Sequence, residues 1–202
     1  MIDEKFVILG ALISFYGGLS YLIDTIKGRN KPNRVTWFLW ALAPLIAFAA
    51  SLQKGVGLTA LMTFMAGFNP LMIFLASFIN KKSYWQLGKL DYFYGSISIF
   101  ALIIWQITGE GNLAILFAII ADAFASIPTV IKSYYQPETE SSSIYLFAMV
   151  NSGIALLTIT NWSFAYYSFP AYIFLICALL YSLVKFKLGL HLQAKIHTKL
   201  IQ

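Results

Sequence analysis

"SSSIYLFAMVNSGIALLTITNWSFAYYSFPAYIFLICALLYSLV", residues 141–184, runs for 44 residues without one Asp, Glu, Lys or Arg. A bilayer core is crossed by roughly 20 apolar residues in helical form, and backbone in lipid must satisfy its own hydrogen bonds, so this run reads as two spanning helices. The polar "TNWS" at 160–163, with a tryptophan suited to the interface, divides it. Working outward, residues 6–23, 35–53, 55–80 and 92–109 are equally free of charge, and 113–135 is interrupted only by Asp122 before Lys132. The pattern predicts an all-α polytopic membrane protein with seven transmembrane helices, over about 5–26, 34–52, 58–79, 91–108, 113–135, 143–160 and 163–184. A transmembrane barrel needs short strands of alternating polarity, and these runs are apolar throughout.

Composition points the same way. Hydrophobic residues make up 59% of the chain and charged residues 11%, against about a quarter charged in ordinary soluble domains. The acidic "MIDEK" start precedes a full-length apolar run without a small-residue cleavage site and is expected to be retained. Cys177 is the single cysteine, which excludes a disulfide framework or multi-cysteine metal site within one chain and suits a packing role. The net charge of +6 has no soluble basic domain to present it to nucleic acid.

The positions of the cations are more telling than their sum. With seven spans, Lys27, Arg29, Lys31, Arg34, Lys81, Lys82, Lys89, Lys132, Lys185, Lys187, Lys195 and Lys199 share one side, while Lys5 and Lys54 lie on the other. That asymmetry predicts an outward amino terminus and a cytoplasmic carboxyl terminus, in a plasma (inner) membrane of bacterial type. The tail at 185–202 mixes cations with leucine and isoleucine, and reads as an amphipathic segment on the inner leaflet.

An internal repeat lies beneath the hydropathy. A shift of 105 residues lays "IKGRNKPNRVTWFLWALA" (26–43) over "IKSYYQPETESSSIYLFA" (131–148), matching Ile26, Lys27, Pro32 and Ala43 to Ile131, Lys132, Pro137 and Ala148. Thr36 meets Ser141 and Trp40 meets Tyr145, while Glu138 and Glu140 replace Asn33 and Val35. A shift of 100 lays Asn69 and Pro70 over Phe169 and Pro170. The plan is therefore three spans (1–80), a linker span (81–112), three spans (113–184) and the basic tail (185–202), with both halves in the same orientation.

With this layout, and with "ASIPTVIKSYYQPETESSSIYLF" at 125–147, the chain resembles the PQ-loop superfamily, which includes the SWEET and SemiSWEET sugar transporters. The resemblance covers all seven spans. It implies two triple-helix bundles that carry a small solute, sugar or amino-acid-like, around a central cavity. Pro128 and Thr129 stand at the family's proline-glutamine position in the second half, and Ile23 and Asp24 in the first. Sugar-carrying members place an asparagine in the third helix of each half; Asn69 matches it, and Phe169, beside Tyr167 and Ser168, stands at the second place. Pro44 matches the family's kinking prolines, with no counterpart at Met149.

Asp122 is the single ionisable residue deep in an apolar run, so it is expected to face the interior, either as a paired structural acid or as a proton or cation site coupled to transport. Ser126 and Thr129 share its helical face, and Gly17, Tyr21 and Asp24 form the matching face of the first helix. Asn69 before Pro70, and Asn151, are candidate solute contacts or interhelical glue. Trp40 and Tyr145 are candidates for an aromatic gate, with Trp37 and Trp40 also suited to interfacial anchoring. Tyr16, Trp105, Tyr166 and Tyr167 read mostly as outer-belt aromatics. Pro44, Pro70, Pro128 and Pro170 are candidate hinges, and Asp24 is expected to pair with Lys27.

No nucleophile, base and orienter set is visible, so no enzyme is expected. His191 and His197 are badly spaced for a metal site, and no phosphate-cradling loop is found, so neither metal nor cofactor is expected. The expected partners are a small-molecule solute and the lipid bilayer, with homo-oligomerisation open. Two other functions fit the same plan: a vitamin-uptake transporter of the nicotinamide riboside type, and a non-transporting PQ-loop receptor or assembly factor.

Overall fold

In the computed structural model the chain is all-α, with α1 (Phe6–Ile26), α2 (Arg34–Gln53), α3 (Ala60–Ala76), α4 (Lys89–Thr108), α5 (Gly111–Tyr135), a 3-10 turn (Pro137–Thr139), α6 (Ser142–Thr158), α7 (Phe164–Lys185) and α8 (Leu188–Ile201). The structure describes residues 3–53, 58, 60–108, 111–160 and 162–201, and no strand occurs among them. A helix forms at each of the seven expected places, with ends within three residues of those read from sequence. Among the described residues, Phe6–Ile26 and Tyr166–Lys185 are long and apolar enough to cross a membrane, whereas Leu61–Ala76 and Ser142–Thr158 are apolar but shorter. Lys54 lies outside the described residues, as do the side chains of Trp105, Lys195, His197 and Lys199.

Local chemistry sets the joint between α1 and α2. Past the last turn of α1, Gly28 takes φ 73° and its N–H donates to the Thr25 carbonyl, while Arg29 N–H donates to that of Asp24. This is a Schellman closure, and the left-handed residue it needs is the glycine. Asn33 then caps α2, its Oδ1 accepting from Val35 N–H at 3.1 Å and Thr36 N–H at 3.2 Å. Its Nδ2 donates to Asp91 Oδ1 at 2.7 Å, and Asp91 Oδ2 accepts from Gly88 N–H, so one pair of side chains ties the starts of α2 and α4 together. The turn of the chain leaves Lys27 aside, and Asp24 pairs with Arg29 at 3.3 Å instead of the expected Lys27.

Packing follows a simple order. α3 lies against both α1 and α2, and α7 lies against both α5 and α6. Across the molecule α1 meets α6 and α5 meets α2, while α4 covers α5 and part of α2. Glycines permit the closest approach: a Cβ at Gly17 would fall 2.5 Å from the Phe147 ring of α6, and one at Gly18 2.4 Å from the Asn69 amide of α3. Side chains also bind neighbouring backbones, Thr36 Oγ1 to the Ala125 carbonyl at 2.7 Å and Ser98 Oγ to that of Ala121 at 2.5 Å. The ends of α1, α3 and α5 and the starts of α2, α4 and α6 meet at one end of the molecule, where Ser83 Oγ donates to the Thr25 carbonyl, Asn80 Nδ2 to that of Ile26, and Lys31 N–H to that of Thr139. α8 docks there by Gly189 and Gln193, whose Nε2 reaches the Tyr134 carbonyl at 3.2 Å.

Candidate functional site

Where the two helix triads face each other they leave a cavity of about 90 Å³, reached by α1, α2, α3, α5, α6 and α7. Its walls come from mid-length of each helix: Ser14, Pro44, Asn69, Asp122, Ala148 and Ile173. The space is below the roughly 300–1,000 Å³ of ordinary ligand clefts. Of the side chains singled out in the sequence, Asn69, Asp122, Trp40, Tyr145, Pro44 and Pro70 line it, along with Trp37.

Asn69 is held in place by α1. Its Nδ2 donates to the Ser14 carbonyl at 2.9 Å and Ser14 Oγ at 3.1 Å, and bare Gly18 leaves room for the amide. Asn69→Ala is therefore expected to lower stability by about 1–3 kcal/mol by leaving the Ser14 groups unsatisfied. Thermal unfolding of the purified protein in detergent checks this, and an unchanged midpoint would show that the two bonds contribute nothing. Asp122 is buried and accepts one hydrogen bond, from Tyr172 Oη at 2.7 Å. Trp40 Nε1–H stands close to the same carboxylate without a hydrogen-bond partner.

Trp37 and Trp40 meet edge to face, with ring centroids 5.3 Å apart, and Trp37 packs on Tyr21 at 4.8 Å. Trp37 is 1% exposed and Trp40 half-buried, which corrects the expectation of an interfacial anchor: both rings fill the interior of the bundle. Tyr166 and Tyr167 are exposed at the start of α7, whereas Tyr16 is exposed at mid-length of α1 with its ring edge to face on Phe147 at 5.5 Å, away from the helix ends where an outer belt would lie. Ser126 is buried and spends its hydroxyl on the Ala123 carbonyl of its own helix, and it does not reach the cavity. Asn151 lies away from it too, packed against Gly10 of α1 with its Oδ1 unpaired. Pro128 and Pro170 sit within α5 and α7, and both helices continue through them.

Beyond the cavity, toward the end where α1 and α5 terminate, lies a buried polar cluster. Glu140 accepts from Tyr21 Oη at 2.5 Å and Tyr145 Oη at 2.8 Å through Oε2, and pairs with the Lys132 ammonium through Oε1. Lys132 Nζ also donates to the Lys31 carbonyl at 2.5 Å and lies 5.2 Å from the centre of the Trp85 ring. The ion pair's side chains have no exposed surface at all, and the cluster knits α1, the loop before α2, α5, the 3-10 turn and α6. Below it Tyr21, Trp37, Ile144, Tyr145, Leu180 and Val184 form one packed unit.

Sequence reasoning missed Glu140 and Tyr172 and gave Tyr21 no partner. Glu140 follows a proline loop, where no periodicity shows a side chain turning inward, and the meeting of Tyr172 with Asp122 depends on how α7 is rotated against α5. The one available signal was Lys132, a cation inside the last turns of an apolar helix, which demanded an acid nearby. A scan against protein-family models and searches of curated proteins and of solved structures found no match for the chain.

Proposed function

We propose that α1–α7 span a bilayer in a three plus one plus three plan, and that the protein carries a small polar solute by alternating access between the two triads. The observation that carries this reading is the cavity at mid-length of all six triad helices, lined by polar side chains from both halves. Polarity is inverted relative to a soluble bundle. Ile107 is 77% exposed, Ile79 68% and Leu175 67%, while Asn30, Asn33, Asp122, Thr129 and Lys132 are buried. Lipid accommodates such an exterior, and buried polar groups then serve as glue or as a pathway.

The reciprocal packing of α1 on α6 and α5 on α2 supports the parallel repeat read from the sequence, and the resemblance to PQ-loop transporters. The cation-rich connections after α1, α3 and α5 gather at one end, which supports a cytoplasmic assignment for it. In this form the cytoplasmic side is shut by the Lys132–Glu140 cluster, and transport requires its opening. Asp122 is the coupling group. Uptake into proteoliposomes driven by a pH gradient is expected to fall to background in Asp122→Asn. Gradient-driven uptake equal to wild type in that variant would remove the coupling role, and absence of any solute movement in the wild type would remove transport.

A further inference from the structure

We propose that the cavity receives a compact organic cation, a primary or quaternary ammonium, with Asp122 as its counter-ion and the rings of Trp37, Trp40 and Tyr145 as its walls. This rests on the transport reading only in taking the cavity as a binding site. Among the lining residues Asp122 is the one carboxylate, and no Lys, Arg or His joins it there. No ion pair reaches it among the described residues, and the other titratable groups facing it are the neutral Tyr172 and Cys177 of α7.

The remaining polar groups argue against a sugar. The Asn69 amide N–H group is committed to Ser14, and the Tyr145 hydroxyl to Glu140. A sugar presents many hydroxyls and needs many free donors and acceptors, whereas these walls add Pro44, Met65 and Ile173. Acceptor capacity stays open on Asp122, which takes one donor from Tyr172 and has the Trp40 Nε1–H close by, and on the Asn69 Oδ1. A carboxylate so weakly compensated in an apolar interior is neutralised by a proton or by an arriving cation. Trp37 and Trp40 meet edge to face and both line the cavity, where the ring face left open to it attracts an ammonium group. The small volume of about 90 Å³ selects a compact headgroup.

The test uses the full chain in lipid nanodiscs, titrated with choline, with its uncharged isostere 3,3-dimethylbutanol, with glucose and with sodium chloride, followed by tryptophan fluorescence and thermal unfolding. Choline is expected to bind and stabilise, and the isostere, glucose and sodium chloride are not. Asp122→Asn is expected to weaken choline binding at least about 30-fold, as for loss of one partner of a buried charge pair. Trp40→Leu, which leaves the charge in place, is expected to weaken it about 5-fold through the lost ring face. An unliganded unfolding midpoint of Asp122→Asn at or above wild type shows that the loss is not misfolding.

Equal binding of the isostere, equal stabilisation by sodium chloride, or undiminished choline binding in Asp122→Asn overturns the proposal. The transport reading fails separately. Choline that binds through Asp122 but does not exchange across proteoliposomes leaves the cation site standing and removes transport, whereas glucose uptake with no choline binding does the reverse.

Discussion

Replacing Lys132 by methionine is expected to destabilise the protein by about 3–5 kcal/mol, because the Glu140 carboxylate is left buried without its cation. Lys132 and Glu140 are both without exposed side-chain surface, so water cannot solvate the abandoned charge. The two tyrosine hydroxyls that donate to Oε2 remain, but two neutral donors compensate a charge poorly. Adding Glu140→Gln to Lys132→Met is expected to restore most of the loss, since the amide oxygen still accepts from Tyr21 and Tyr145 and no charge is buried. Thermal or chemical unfolding in detergent measures both. If the double variant is no more stable than Lys132→Met, the cost lies in the lost Lys31 and Trp85 contacts and not in the unpaired acid.

The same substitution has a second readout. Cys177 is the chain's single cysteine, is buried, and lines the cavity, so its reaction with a water-soluble maleimide reports opening of that space. Each 1.4 kcal/mol removed from the closed form raises the open fraction about tenfold. If the proposed opening runs through this cluster, labelling of Cys177 is expected to accelerate more than about tenfold in Lys132→Met.

Trp37→Ala is expected to cost about 3–5 kcal/mol, the range for emptying a large aromatic from a packed interior. The ring touches Tyr21, Trp40 and the cavity at once, and its neighbours Ile144, Tyr145, Leu180 and Val184 come from two other helices, α6 and α7, that cannot both collapse inward. The vacated volume joins the existing cavity and thins its wall toward the Lys132–Glu140 cluster. Faster Cys177 labelling should accompany the stability loss. A destabilised variant whose Cys177 stays as slow as wild type would mean that the ring holds the core without closing the path.

How much of this was legible beforehand depends on the distance over which each feature is decided. The α1–α2 joint was readable because its determinants are local: charge ends the apolar run, and the break carries Gly28, Pro32 and Asn33, with Gly28 closing one helix and Asn33 capping the next. The face bearing Asp122 was legible through helical spacing, which turned Asp122 inward. The same spacing was a poorer guide to Ser126, whose hydroxyl found an acceptor one turn back on its own helix. Trp37 was misjudged because tryptophan near a helix end suits an interface as well as a core, and only the approach of Tyr21 from α1 distinguishes the two.

The order of apolar runs and charged breaks by itself determined the helices, their approximate ends and the inward placing of Asn69 and Asp122, because each follows from hydrogen bonding and hydrophobicity within a few turns of chain. The tertiary structure alone decided that Glu140 folds back beneath α5 to meet Lys132, Tyr21 and Tyr145, and that Tyr172 reaches Asp122. Those contacts join residues 5 to 119 positions apart, or 50 in the last case, and depend on helix rotation and on a proline turn's direction, which no local pattern encodes.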